Sequence, residues 1–191
     1  MRFLKKINRG LIVILVLVLA VCGYLIALRF IRQGDREQIK TVVDDYLSQY
    51  QSDIVLGERT CEDAVTEARK NELKYFVSES AFAPTLSVIE GIFEEQKELG
   101  TYTFCELDPT SFSSFAFDGD TATVKVRMNI TLEAPQKNLD ASDSSQRTRF
   151  TADSDFVLQK QDGQWKLFYF GEYLLNNAEY EDPYSVSSID Y

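Results

Sequence analysis

The sequence predicts an α+β protein: a single N-terminal transmembrane helix, then about three helices packed on a curved antiparallel sheet of four to five strands. Three observations predict it. Leu11 to Leu28 is a run of 18 residues without a charge. Between Ile39 and Phe93, apolar residues recur at the three-and-four spacing of helix faces. After Gly100 the period changes to two, the spacing of half-buried strands.

The apolar run comes first. Residues 1–10 carry Arg2, Lys5, Lys6 and Arg9 and no acid. At ~1.5 Å per residue the run that follows spans roughly 27 Å, close to the ~30 Å hydrocarbon core of a bilayer. A soluble helix would keep one polar face, and this one is apolar all round. A cleaved signal peptide has an apolar region of only ~7–15 residues before a small-residue cleavage site. Here the run continues through Tyr24-Leu25-Ile26 to Arg29. Leu19-Ala20-Val21-Cys22 is a weak lipoprotein-like signal, in which Val21 is too bulky for the position before the cysteine, so Cys22 reads as membrane-buried. No Glu follows Gly10 within the run, as a type IV pilin pattern requires. The reading is a basic cytoplasmic head over residues 1–10 and an anchor over 11–31. Arg29, Arg32, Arg36 and Lys40 follow the span. The short head before a signal anchor still favours a single-pass cell-membrane protein with a cytoplasmic N-terminus and an extracytoplasmic bulk.

Gly34-Asp35 is expected to interrupt the anchor, with Asp35 capping a new helix and Gln38 completing a capping-box-like pair. Ile39, Val42, Val43, Tyr46, Leu47 and Tyr50 give that helix an apolar face about four turns long. Thr60 to Tyr75 reads as a second, more polar helix, with Thr60 and Asp63 as its cap signal and a thin stripe of Ala64, Val65, Ala68 and Leu73. Pro84 fits the start of a third helix, buried through Leu86, Ile89, Ile92 and Phe93, and Gly100 terminates it.

Tyr102 and Phe104 suggest a first strand, and Phe115 and Phe117 lead into the hairpin signal Asp118-Gly119. Ala122, Val124, Val126, Met128, Ile130 and Leu132 then alternate with polar residues. Residues 134–146 are polar and read as a long loop. Phe150, Ala152, Ser154, Phe156 and Leu158 face one way in the next strand. Asp162-Gly163 turns the chain again, and Trp165, Leu167 and Tyr169 alternate with Lys166, Phe168 and Phe170, so the last strand is expected to be covered on both sides. Residues 35–175 form one domain with a full core, and 176–191 an acidic flexible tail.

Composition narrows the chemistry. The 191 residues include no histidine. This excludes Ser-His-Asp and Cys-His catalysis, His-ligated metals and a His-based pH switch. Of 20 basic and 30 acidic residues, residues 1–34 hold six basic and no acidic, which leaves 14 basic, 30 acidic and a net −16 for residues 35–191. Such a domain repels phosphate backbones, so nucleic acid is not an expected partner. Cys61 and Cys105 are a possible disulfide, worth ~4 kcal/mol in the chain-entropy model, with two buried free thiols as the alternative. They are too few for a structural zinc site.

The stretch Phe156-Val157-Leu158-Gln159-Lys160-Gln161-Asp162-Gly163-Gln164-Trp165-Lys166-Leu167 looks much like the terminal hairpin of nuclear-transport-factor-2-like domains. With three helices before the sheet, the order from Arg36 to Leu175 resembles that fold, the cone that also houses ketosteroid isomerase and polyketide cyclases. A generic cystatin-like or other α+β sheet is the alternative. An anchor followed by one such domain is similar in layout to the bitopic assembly subunits of type IV secretion and conjugation machines, and to small envelope proteins of Gram-positive bacteria.

The resemblance implies what an isomerase of this fold would need: a buried carboxylate base and a Tyr–acid pair that binds an oxyanion. The cone-facing register of the two long strands holds no carboxylate, and Glu90, Tyr46, Tyr75 and Tyr169 are the remaining candidates to approach a cavity. Asp153 and Asp155 share the wet face with Lys125 and Arg127, where cross-strand ion pairs are expected rather than a metal site. Asp140 and Asp143 lack calcium-loop spacing, and Asn129-Ile130-Thr131 is a mid-strand sequon. The expectation is a membrane-anchored extracytoplasmic domain without catalytic, cofactor or metal residues. It would bind an envelope protein partner or a small apolar ligand. The alternatives are an assembly subunit of a conjugation complex and an enzyme using the cone.

Overall fold

The computed structural model describes residues 9–135 and 145–171. The chain divides into two compact units, Met1–Gln38 and Ile39–Tyr191. The long helix α1, Arg9–Asp53, supplies the described part of the first. Between Ile14 and Ile31 its described side chains are mostly apolar yet open, with Val18 52% and Phe30 71% exposed. It is long and apolar enough to cross a membrane. The break expected at Gly34-Asp35 does not occur, since α1 is one helix through both residues and Asp35 is not a cap. A mid-helix glycine costs only about 1 kcal/mol relative to alanine, and strongly helical stretches lie on both sides.

Within the second unit, Ile39, Val43, Tyr46, Leu47 and Tyr50 are buried, on the face their spacing predicts. Helix α2, Cys61–Glu72, is capped by Thr60, whose side chain accepts from the Asp63 N–H at 3.1 Å. A single 3-10 turn, Leu73–Tyr75, finishes it. Helix α3, Glu79–Leu99, begins five residues before the expected Pro84 start. Ser78 caps it by accepting from the Ala81 N–H at 3.2 Å, and the fully buried Phe82 anchors its first turn. Pro84 therefore sits inside the helix. Gly100 ends α3 with φ 121°, a region open to glycine, and donates to the Gln96 carbonyl at 2.8 Å.

Four strands follow, β1 Phe104–Asp118, β2 Thr121–Pro135, β3 Ser145–Gln161 and β4 Gln164–Phe170, each antiparallel to the next in the order β1-β2-β3-β4. The two aromatic stretches expected before the first hairpin are one strand, bent by register shifts at Pro109/Ser111 and Ser113/Ala116, with Ser114 at φ 53°. Its turn is Gly119-Asp120. The second turn is Asp162-Gly163, both residues at positive φ, as a type I′ hairpin requires. Ala122, Val124, Val126, Met128 and Ile130 on β2, and Phe150, Ala152, Ser154, Phe156 and Leu158 on β3, are all buried.

The last strand departs from expectation. Phe156 pairs with Phe170, Val157 with Tyr169, and Leu158 with Leu167, so Phe168 is an extra residue. This bulge switches the alternation. Phe170 turns inward, while Phe168 and Tyr169 are 53% and 38% exposed. The strand is thus not covered on both sides. The head before Arg9, most of the polar loop and the acidic tail lie outside the described residues.

This is an α+β arrangement of helices and a four-stranded antiparallel sheet, consistent with the nuclear-transport-factor-2-like cone. Tyr46, Phe82, Phe93, Phe156, Ile89, Met128 and Leu167 are among the largest fully buried side chains of the described residues. Trp165 is buried beside Phe117 of β1, ring centroids 6.1 Å apart, with the Lys160 ammonium 5.4 Å above its ring.

Candidate functional site

Two helices bring polar groups into this core. Tyr46, Tyr50 and Asp53 lie at i, i+4 and i+7 on α1, and Ala64, Ala68 and Glu72 at i, i+4 and i+8 on α2. Each set is one helix face, and all six residues are buried. The Tyr46 ring is held edge-on by Tyr75, Phe76 and Phe170 at 5.7, 5.5 and 5.3 Å. Glu72 is fully buried. Its two carboxyl oxygens and the Tyr46 hydroxyl have no hydrogen-bond partner of good geometry. They are nevertheless close enough to act on one another's protons.

Burial pushes the Glu72 carboxyl up to about 8, and the charge of Asp53 pushes the same way against the opposing effect of the Tyr46 hydroxyl. Burial, with Glu72 and Tyr50 beside it, holds the Tyr46 hydroxyl well above its ordinary range. Burial thus biases both groups toward their protonated, neutral forms, in which each can donate a proton in a hydrogen bond. Asp53 is differently placed. It accepts from Gln49 Nε2 and Asn71 Nδ2, each at 3.0 Å.

Of the four residues expected near a cavity, Tyr46 alone joins this pair. Tyr75 is half-buried against it, Glu90 is exposed on α3 and Tyr169 is exposed on β4. The strands supply no core-facing acid, as expected. Their one fully buried hydroxyl on that face, Ser154, donates to the Gly171 carbonyl at 3.0 Å. The acid arrives from a helix instead. Glu72 and Asp53 were missed because both lie in polar stretches, although counting by fours from Ala64 through Ala68 reaches Glu72.

A separate groove of about 860 Å³ opens between α2 and α3, lined by Leu56, Arg59, Cys61, Val65, Glu90 and Lys97 among others. Arg59 fixes one wall. Its guanidinium donates to the Leu56, Asp53 and Val55 carbonyls and meets Glu67 at 2.7 Å. Lys97 pairs with Glu94 at 3.4 Å on the other.

The two cysteines are free thiols. The Cys61 thiol points to the Phe93 carbonyl at 3.8 Å. Cys105 is buried in β1, and burial with the Glu106 charge pushes its thiol up to about 12. On the wet sheet face Arg127 grips Asp153 through two hydrogen bonds of 2.7 and 3.1 Å, which holds the Asp153 carboxyl below its usual range. Among the described residues no three Cys, Asp or Glu side chains gather into a group able to hold a metal ion. Asp140 and Asp143 lie outside those residues. Asn129 is half-buried and accepts from Thr151 Oγ1 at 3.1 Å.

No protein-family model and no curated protein matches the sequence. Among solved structures, the chain is similar to the Kfla4162 protein of Kribbella flavida, at 13% identity and a TM-score of 0.42, over 71% of this chain and 90% of that one. It is also similar to a protein titled Rd1NTF2_05 with five substitutions, at 10% identity and a TM-score of 0.21, over 46% of this chain and 58% of that one.

Proposed function

We propose that the chain is a single-pass membrane protein, N-terminus cytoplasmic, whose domain over residues 35–175 works outside the cytoplasm by binding an envelope protein rather than by catalysis. One contrast supports this reading. The core face of the sheet is filled with side chains, whereas the groove between α2 and α3 is open, with an apolar floor of Leu56 and Val65 between charged walls. An apolar floor with a charged rim suits a protein segment better than a small polar substrate. A tether at the surface raises the effective concentration of the domain toward other membrane proteins. The test is a photocrosslinking amino acid at Glu62 or Glu90 in native membranes. A discrete adduct with one other membrane protein, absent from an exposed control such as Thr151, is the expected result. Equal labelling at groove and control positions overturns it.

The Tyr46–Glu72 pair favours a second reading, a small ligand held in the core. Native mass spectrometry of the detergent-solubilised protein tests it. Co-purification of a small molecule lost in Glu72→Leu supports the ligand, and mass equal to the bare chain overturns it.

A further inference from the structure

The groove between α2 and α3 has walls that are fixed before anything enters it. The two helices run antiparallel. Arg69 near the end of α2 pairs with Glu79 at the start of α3, while Cys61 at the start of α2 points to the Phe93 carbonyl at 3.8 Å. Leu56, on the floor, donates its N–H to the buried Gln96 side chain at 3.1 Å. A groove held in this way has little of its own to order when a partner binds.

Charge decides what the groove accepts. Its lining includes three acids, Glu62, Glu90 and Glu94, and two bases, Arg59 and Lys97. Both bases are engaged. Arg59 meets Glu67 at 2.7 Å besides its backbone carbonyls, and Lys97 meets Glu94 at 3.4 Å. Glu62 on α2 and Glu90 on α3 are left, one on each wall and both exposed. The positive end of the α2 dipole would favour an anion, but Glu62 and Asp63 already occupy that first turn. An acidic segment is therefore repelled from both walls, and the net −16 of residues 35–191 adds to the repulsion. A basic segment is attracted to both.

Backbone chemistry decides the form of the partner. Each wall is a helix, whose interior N–H and C=O groups bond within it. An extended peptide would find no ladder to join. A helix arrives with its own backbone bonds made.

We propose that the partner enters this groove with a basic amphipathic helix. Its apolar side chains rest on Leu56 and Val65, and its lysine or arginine side chains reach Glu62 and Glu90. Residues three or four apart share a helix face, so basic residues flanking one apolar stripe serve both walls. This rests on the groove being the site that binds the envelope protein.

The experiment places a photocrosslinking amino acid at Thr66, which lines the groove and leaves both acids intact, in the full-length protein in native membranes. The adduct is mapped by peptide mass spectrometry. In the otherwise unaltered chain it should fall on a partner segment with lysine or arginine three or four residues apart beside an apolar stripe. Its yield should drop as salt rises from about 0.1 M to about 1 M, where the screening length shrinks from about 10 Å to about 3 Å. Glu62→Lys with Glu90→Lys should lower it on the order of tenfold. The same reversal at Glu106 and Asp108, exposed on β1 and outside the groove lining, should leave it unchanged. A mapped segment that is acidic or uncharged overturns the proposal while leaving the groove as a protein site. So does equal loss in the two double variants, or an adduct between two copies of this chain. Labelling at Thr66 no stronger than at the exposed control Thr151 overturns the site and its occupant together.

Discussion

Gln96 donates its side-chain amide to the Ile54 carbonyl at 2.6 Å, across 42 residues of sequence. The carbonyl of the same side chain accepts from the Leu56 N–H at 3.1 Å and the Tyr102 N–H at 3.0 Å. One buried amide on α3 thus closes both the link after α1 and the link into β1. Gln96→Leu keeps the volume but strands the buried Leu56 N–H and Ile54 carbonyl and the part-buried Tyr102 N–H. At about 1–3 kcal/mol per unpaired buried group, the two buried groups alone give an expected loss of about 2–6 kcal/mol, read from chemical denaturation of the detergent-solubilised protein. An unchanged midpoint would show that these backbone groups find other partners.

Glu72 makes stability depend on pH. Its folded pKa is about 8 against an ordinary 4.5. Below 4.5 the carboxyl is protonated folded and unfolded, and its contribution is constant. Between about 4.5 and about 8 only the unfolded chain releases the proton, so stability falls as pH rises and levels off above about 8. Glu72→Gln removes this slope. The variant should match the parent near pH 4 and exceed it at pH 9 by on the order of a few kcal/mol. Parallel profiles for the two proteins would refute the assignment.

Much of this was legible beforehand, and the illegible part has a common cause. β2 and β3 alternate because one face is dry and one wet, a pattern carried by each strand alone. The Thr60 cap and the Asp162-Gly163 turn are equally local. Glu72 was not legible as buried because an acid on a polar helix is ordinarily solvated. Only the partners of α2 reveal which face turns inward. The α3 start was misplaced because Pro84 is a strong local signal, and the Ser78 cap with Phe82 outweighs it through packing. Phe168 could not be read as a bulge, because register is a property of two strands.

Two glycines should respond in opposite directions to alanine. A Cβ on Gly171 would lie 3.0 Å from the Asp155 carbonyl oxygen and 3.1 Å from Ser154 Oγ, while at Gly91, inside α3, it meets nothing within 4 Å. Gly171→Ala should cost about 1–3 kcal/mol by forcing β3 to shift. Gly91→Ala should stabilise by about 0.5–1 kcal/mol through helix propensity. Thermal unfolding of the two variants side by side decides it, and equal shifts would contradict both arguments.

Arg127→Ala should barely change stability, by about 0–1 kcal/mol, because its pair with Asp153 is exposed. Its effect belongs in titration. The Asp153 carboxyl, held low chiefly by the hydrogen bonds of Arg127, should return toward its usual value, followed by NMR of the side-chain carboxyl carbon. No movement would remove Arg127 as the cause.

The thiols of Cys61 and Cys105 should differ in reactivity. Cys61 is half-buried at the groove, and Cys105 is buried with its thiol pushed up to about 12. A maleimide at pH 7 should label Cys61 readily and Cys105 only after denaturation, resolved by peptide mass mapping. A disulfide between them would leave neither labelled until reduction.

The two irregularities in β1 bear on how the chain keeps to itself. An outer strand of 15 residues is an edge that can template a strand from another molecule, and Gln51 of α1 covers one point of it by accepting from the Leu107 N–H at 2.8 Å. The shifts at Pro109/Ser111 and Ser113/Ala116, with Ser114 turned to positive φ, cut that side into short pieces of different direction. A straight incoming strand can match one piece at a time. Resistance to aggregation is thus written into the same residues that curve the sheet, and straightening the strand would sacrifice both.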